Sequence, residues 1–230
     1  SELVLVSPVK VLQTLFTVIF DPDFLKTVWY SAARILGGFF IALTLGTALG
    51  WVASRFWVVE TLLRPITAVI KATPVASFII LVLLWFSGKN LSVIISMLMV
   101  FPVIYMNVLE GIRSADEELL EMAQVFRLSV SKKLLYIYLP AVAPFFVSAC
   151  SVSLGLCWKS GIAAEVIGTP DGSIGAVFYQ AKIFLQTSEL LAWTVVVVAV
   201  SVAFEKLFMF LLRLILKKLK MEDVLNGKRA

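Results

Sequence analysis

Five stretches of this sequence, 28–53, 66–86, 91–111, 141–161 and 190–212, each carry no more than two charged side chains. A run of about twenty apolar residues matches the hydrocarbon thickness of a bilayer. Inside a bilayer every backbone N–H and C=O has to be satisfied within the spanning structure, and for runs this long that structure is a helix. The expected fold class is therefore all-α and polytopic, with five transmembrane helices in the given chain. The run 66–86 is the weakest of the five. It is strongly apolar only over 72–86, and needs a turn from 66–71 to complete a crossing. Composition excludes the soluble alternative: 60% of the 230 residues are hydrophobic and 15% charged, where a soluble domain carries about 25% charged residues to cover its surface.

Ahead of these runs, residues 8–20 are apolar on one face and only moderately hydrophobic, which suits a helix lying in the outer interface. Asp21-Pro22-Asp23 follows as a turn. Residues 1–4 lack the basic stretch that opens a signal peptide. Basic residues set orientation. Five crossings place 54–71, 112–139 and the tail from Glu205 on one side, with fourteen Lys and Arg, against five on the other. That side is expected to be cytoplasmic, with the C-terminus on it. A sixth span ahead of residue 1 would return the N-terminus to the same side. The tail's Lys217, Lys218 and Lys220, with Lys228 and Arg229 beyond, fit an anionic inner leaflet and call for no nucleic acid.

Several chemistries are missing from the sequence. There is no histidine, the usual proton shuttle and zinc ligand. Cys150 and Cys157 lie seven apart in one apolar run, about 10 Å along a helix, too far for a disulfide. No paired carboxylates, nucleophile–base set or metal cluster stands out, and no G-x-x-x-x-G-K-[ST] phosphate loop occurs. We therefore assign no catalytic residue and no metal ligand, and any energy from ATP has to come from another chain. Ala42, Gly46 and Gly50 recur every fourth residue, so that two helix backbones can approach closely; the partner is either the same subunit or a second one.

Residues 114–139 interrupt the apolar pattern. Ser114-Ala115-Asp116-Glu117 reads as a capping box opening a helix to about Phe126, with Leu119, Leu120, Met122, Ala123 and Phe126 at helical spacing. Arg127-Leu128-Ser129 reads as a corner, with Ser129 capping a second short helix. Pro140 lacks an N–H and biases Leu139 away from helix, so the chain is expected to re-aim there before it re-enters the bilayer. Two apolar stripes at the membrane edge fit a groove on a soluble partner or the membrane surface beside their own subunit. The pattern leaves both open.

This segment resembles the EAA motif of permease subunits in type I ABC importers: Glu-Ala-Ala, three residues, Gly, nine residues, Ile-x-Leu-Pro. Glu121-Met122-Ala123 matches the start, and Ile137-Tyr138-Leu139-Pro140 the end at the same spacing. Phe101-Pro102-Val103-Ile104 through Asn107, Gly111-Ile112-Arg113, and Trp158 to Gly168 with its Ala163-Ala164-Glu165-Val166 core are also similar to the family. The likeness is to its nitrate/sulfonate/taurine-type branch, which includes permeases for thiamine precursors, and it covers essentially the whole chain. Met122 replaces an alanine, and Arg127 stands where the family has glycine. If that glycine supplies a positive φ, arginine there costs about 1 kcal/mol. Either the corner is built differently or Arg127 bears on a partner.

The resemblance implies a coupling site made of Glu121, Met122, Ala123, Phe126, Arg127, Leu128, Ser129, Leu139 and Pro140, docked in a cleft of a cytoplasmic ABC ATPase. It implies two such ATPase subunits, a second permease copy as a homodimer, and an extracytoplasmic solute-binding protein. ATP and Mg would act on the partner ATPase, with no cofactor in this chain. The branch implies a small anion such as a sulfonate, taurine or nitrate, or a vitamin precursor, moved by alternating access. An ATP-independent secondary transporter or channel is the competing class, and a membrane scaffold that only recruits a partner is a third.

Ionisable groups within membrane runs are candidates for the translocation pathway. Lys159 either holds an anion, reaches the interface, or pairs with Glu165. Asn107 either hydrogen-bonds between helices or lines the pathway. Glu165 is the third candidate. The turn Thr169-Pro170-Asp171-Gly172-Ser173 connects two helices on the outer side, where the family receives its binding protein.

Overall fold

The computed structural model of the chain describes residues 6–219. Among them are helices and no strand. In chain order the helices are α1 (Pro8–Ile19), α2 (Phe24–Arg55), α3 (Trp57–Ala72), α4 (Val75–Leu83), α5 (Gly88–Arg113), α6 (Glu117–Val125), α7 (Val130–Lys133), a π turn (Leu134–Tyr138), α8 (Leu139–Gly168), α9 (Ile174–Ile183) and α10 (Thr187–Lys218). Lys220, Lys228 and Arg229 of the basic tail, and residues 1–4, lie outside the described residues.

The protein is an all-α, polytopic membrane protein. Helices α2, α5, α10 and the run Val130–Gly168 are each long and apolar enough to cross a bilayer. A fifth crossing requires α3 and α4 to count as one span, and they do not form one rod. They meet at 105° across Thr73 and Pro74. The expected continuous helix over 66–86 is therefore corrected to two helices. The physical reason is Pro74, which holds φ −57° and ψ 136° as the residue before α4 and disfavours helix at Thr73.

The chain divides into two compact units, and each long helix contributes to both. One comprises the residues up to Ile41, Thr73–Met99 and Gly155–Phe204. Ile174, Trp193 and Val196 are buried in it, and Leu15 and Val18 of α1 pack against them. Phe24 meets Trp193 with ring centroids 5.6 Å apart. The opposite face of α1 leaves Val9, Leu12 and Phe16 exposed, the pattern of an interfacial helix. A Cβ on Gly161 would lie 2.6 Å from Ile35 and 2.7 Å from Ser96 Oγ, so α8 touches its neighbours through backbone there.

The other unit comprises Ala42–Ala72, Val100–Leu154 and the residues from Glu205. The small-residue stripe of α2 lies in it. Ala42 is fully buried, while Cβ atoms on Gly46 and Gly50 would sit 3.0 Å from Ile104 and Val108 of α5. The stripe is therefore a contact inside the subunit, where close approach replaces absent hydrophobic driving force. Beside it, Ala53, Tyr105 and Leu109 are buried with Val59 and Leu63 of α3 against them. Cys150 and Cys157 are separate buried thiols. Only 6% of the most apolar window of α10 is buried within the chain, which leaves this helix facing lipid or another protein.

Candidate coupling site and polar residues of the membrane runs

Helix α6 opens at Asp116, whose Oδ1 accepts the Glu118 N–H at 2.9 Å. Glu117 and Glu118 place negative charge in its first turn, where the helix dipole favours it. The capping box expected from Ser114 is not made, because the Ser114 hydroxyl donates to Gly111 O at 2.9 Å and closes α5 instead. Asp116, two residues on, has the cap position.

The helix ends in a left-handed corner. Arg127 has φ 49°, the conformation that glycine adopts without strain. The Leu128 N–H bonds to Ala123 O at 2.9 Å and the Arg127 N–H to Gln124 O at 3.0 Å, which is the paired closure of a Schellman motif. The corner is thus built with positive φ, and Arg127 carries the strain. Ser129 precedes α7 as expected, but its side chain makes no capping bond.

Pro140 does not turn the chain. The helix continues from Val130 to Gly168, with Leu139 itself helical at φ −64° and ψ −42°. The widened turn explains why. Leu139 N–H bonds five residues back to Leu134 O, and the extra residue in the turn moves the proline ring off the carbonyl it would otherwise strike. The expected break at the end of the insert is corrected to a π turn.

The insert has two faces. Ala115, Ala123 and Ile137 are buried together, with Leu120, Leu128 and Tyr138 packed around them. Trp51 of α2 meets Tyr138 edge-on at 5.5 Å. The other face is apolar and open: Met122 is 45% exposed, Val125 79%, Phe126 72% and Val130 80%. Glu121, Arg127 and Ser129 lie exposed among them. Of the residues assigned to coupling, Glu121, Met122, Phe126, Arg127 and Ser129 are therefore on the surface, Ala123 is core, and Leu128, Leu139 and Pro140 are half-buried. Val125 and Val130 escaped the sequence reading. Their signal was two branched apolar residues flanking a polar corner.

A second missed feature lies at the root of the insert. Glu60, in the first turn of α3, accepts from Arg113 at 2.5 Å through Oε2 and from Arg64 at 3.3 Å through Oε1. Its side chain is 12% exposed.

The polar residues of the membrane runs separate. Asn107 Nδ2 donates to Val103 O at 2.8 Å, one turn back on its own helix, so the expected interhelical bond is not formed. Glu165 is fully buried. It accepts from Ser31 Oγ at 2.6 Å and from the Gly175 N–H at 3.3 Å, while Ser31 Oγ in turn accepts the Ile174 N–H at 2.9 Å. The carboxylate joins α2, α8 and the start of α9. Lys159 is exposed and forms no ion pair among the described residues. The alternative of a Lys159–Glu165 pair is thereby corrected: six helical positions place one side chain on the surface and the other in the interior.

The turn after α8 holds Thr169 at φ 40° and Gly172 at φ 75°. Ser173 caps α9, its hydroxyl oxygen accepting the Ala176 N–H at 3.0 Å. Residues Gly168–Asp171 and Ser87–Lys89 line an open concavity of about 430 Å³.

Comparison with known proteins adds to this geometry. A family model described as a binding-protein-dependent transport system inner membrane component matches residues 38–221. The taurine transport system permease protein TauC of Escherichia coli is 27% identical over 211 residues, covering 89% of this chain and 76% of its own. A Bacillus subtilis protein provisionally named the aliphatic sulfonates transport permease protein SsuC is 28% identical over 219 residues, 94% of this chain and 79% of its own. The bicarbonate transport system permease protein CmpB of Synechococcus elongatus is 25% identical over 191 residues, 82% of this chain and 68% of its own.

Proposed function

Because the chain belongs to the family of binding-protein-dependent transport system inner membrane components, we propose that it is the transmembrane permease of an ATP-driven importer whose 114–139 insert is the surface a cytoplasmic ATPase grips. The observation that carries this reading is the outward face of the insert. Four large apolar side chains, Met122, Val125, Phe126 and Val130, stand exposed around Arg127, on a segment that already has its own small core. Apolar helix faces of this size find grooves on partner proteins. The interleaved Glu121 and Arg127 suit an aqueous partner better than lipid.

In this reading two copies of the chain form the permease, each gripped by one ATPase subunit. ATP and Mg act on the ATPase, and its closure rocks the permease between outward- and inward-facing states. The basic-rich face, including the C-terminus, is cytoplasmic. A solute-binding protein delivers substrate to the opposite side, near the 169–173 turn. The named relatives suggest sulfonates, taurine and bicarbonate as the classes to try, and the branch resemblance adds nitrate and a vitamin precursor. Lys159 is the pathway residue we favour, being the one basic side chain of α8 and exposed. Asn107 and Glu165 are engaged by their own helix and by the interior.

The test is uptake of labelled taurine, an alkanesulfonate, nitrate and bicarbonate into vesicles holding the permease with and without the ATPase. ATP-dependent uptake that disappears without the ATPase supports the proposal, and equal uptake in its absence refutes it. Glu121→Lys should strip the ATPase from the purified complex or leave its hydrolysis uncoupled.

A further inference from the structure

We propose that Glu60 and Arg113 are positioning residues that make α3 and the coupling insert move as one body, so that a pull on the insert becomes a rotation of α3. The inference rests on the coupling reading above. Arg113 is the last residue of α5, three residues ahead of the cap Asp116 that starts the insert. It reaches across 53 positions of sequence to Glu60 at 2.5 Å. Arg64 holds the other carboxylate oxygen from the same helix, which fixes the direction in which the carboxylate points. Below this charged tie, Val59 and Leu63 of α3 pack on buried Tyr105 and Leu109 of α5. The contact thus has an apolar floor and an ionic latch, both in one compact unit.

Helix α3 has the form of a lever. A single non-helical residue, Phe56, separates it from α2, and Thr73 and Pro74 separate it from α4 across a 105° bend. Between these joints lie 16 residues, a rod of about 24 Å. A rod hinged at both ends transmits motion only if something grips it. The grip on the insert side is Glu60, whose carboxylate is nearly withdrawn from solvent while Arg113 remains half exposed. Charge-assisted hydrogen bonds of this kind are the strong ones, and truncating one partner leaves the other uncompensated.

The experiment needs no knowledge of the transported solute. Spin labels at Thr61→Cys and Glu118→Cys, both exposed positions outside the coupling surface, report the separation of α3 and the insert in the purified complex with its ATPase. The two natural cysteines are buried. The separation is measured without nucleotide and with ATP, Mg and vanadate. It should stay the same in the parent, and shift or broaden on nucleotide binding in Glu60→Gln, in Arg113→Gln and no further in the double variant. Arg113→Lys should recover most of the parent behaviour. A parent separation that changes with nucleotide, or a Glu60→Gln separation that does not, overturns the proposal. Should the single variants fail to assemble, Glu60→Cys with Arg113→Cys, without the label cysteines, is joined by a short bis-methanethiosulfonate reagent, a methanesulfinate leaving as each disulfide forms, which replaces the ionic tie. Restored assembly with coupled ATP hydrolysis supports the inference, and assembly that stays lost refutes it. If Glu121→Lys leaves the ATPase bound and coupled, the coupling reading itself fails. If Glu121→Lys sheds the ATPase while Glu60→Gln behaves as parent, this inference alone fails.

Discussion

Replacing Arg127 by glycine should make the corner of the insert more stable while weakening its hold on a partner. Arg127 sits at φ 49°, where a side chain costs about 1–2 kcal/mol relative to right-handed backbone. Glycine removes that strain but returns about 0.5–1 kcal/mol as extra freedom in the open state. The net gain is about 0.5–1 kcal/mol, which corresponds to a two- to fivefold slower local opening. The amides to watch are Arg127 and Leu128, which close the helix end on Gln124 and Ala123. Hydrogen exchange of peptides covering 121–130 reads their opening directly. Arg127→Ala is the control, since it deletes the same side chain and keeps the strain. Leu185→Gly is the second control. Leu185 has φ 54° and the neighbouring Gln186 N–H closes on Ala181 O at 2.8 Å, so its corner should slow equally without touching ATPase attachment. Exchange slowed as much in Arg127→Ala as in Arg127→Gly would refute the backbone argument. ATPase retention unchanged in both would remove Arg127 from the contact.

Ser31→Ala deletes a donor to buried Glu165 and an acceptor for the Ile174 N–H, and should lower stability by about 1–3 kcal/mol; a thermal melt that stays at the parent value would show that Ser31 is not needed there. Gly175→Ala would press a Cβ onto the backbone of Glu165 and Val166, so we expect loss of well over 1 kcal/mol and little monodisperse protein by size exclusion. Lys159→Ala should leave the melt within about 0.5 kcal/mol, as for an exposed unpaired residue, yet depress anion uptake, with Lys159→Arg retaining it. Unchanged uptake in Lys159→Ala would take this residue out of the pathway.

The spans were legible because length and hydropathy are local quantities. Residues 28–53, 91–111, 141–161 and 190–212 all lie inside long helices. The prolines were harder, and two of them reversed the expectation. Pro74 lies inside an apolar run whose hydropathy outweighs it in sequence, although the rule that disfavours helix before proline applies to Thr73. The same rule applied to Leu139 predicts a break at Pro140, and the chain answers with a π turn. The rule gives the strain and leaves open how it is relieved; at Pro74 the chain kinks, whereas at Pro140 an added residue in the turn suffices. The small-residue stripe of α2 could be seen in sequence, but its partner could not, since Ile104 and Val108 lie more than fifty residues away. Glu60 was invisible for the same reason. One acidic residue in a connection looks like solvated surface until Arg113 is placed beside it.

Positive φ at a helix end does not by itself mark a working surface, because Leu185 closes α9 in the same way as Arg127 closes α6. What separates the two is their company. Around Arg127 a strained corner, an exposed apolar face and a π turn all fall within residues 122–138. A connection that merely joined α5 to α8 could relax each of these: glycine at 127, a polar residue at 125 or 130, no proline at 140. Departures from local preference that cluster without a gain inside the chain are expected where the gain lies in another molecule. The buried half of the insert packs Ala115, Ala123 and Ile137 together, the last within the π turn. The strained corner and the open apolar face lie on the other half, and it is the half that a partner would meet.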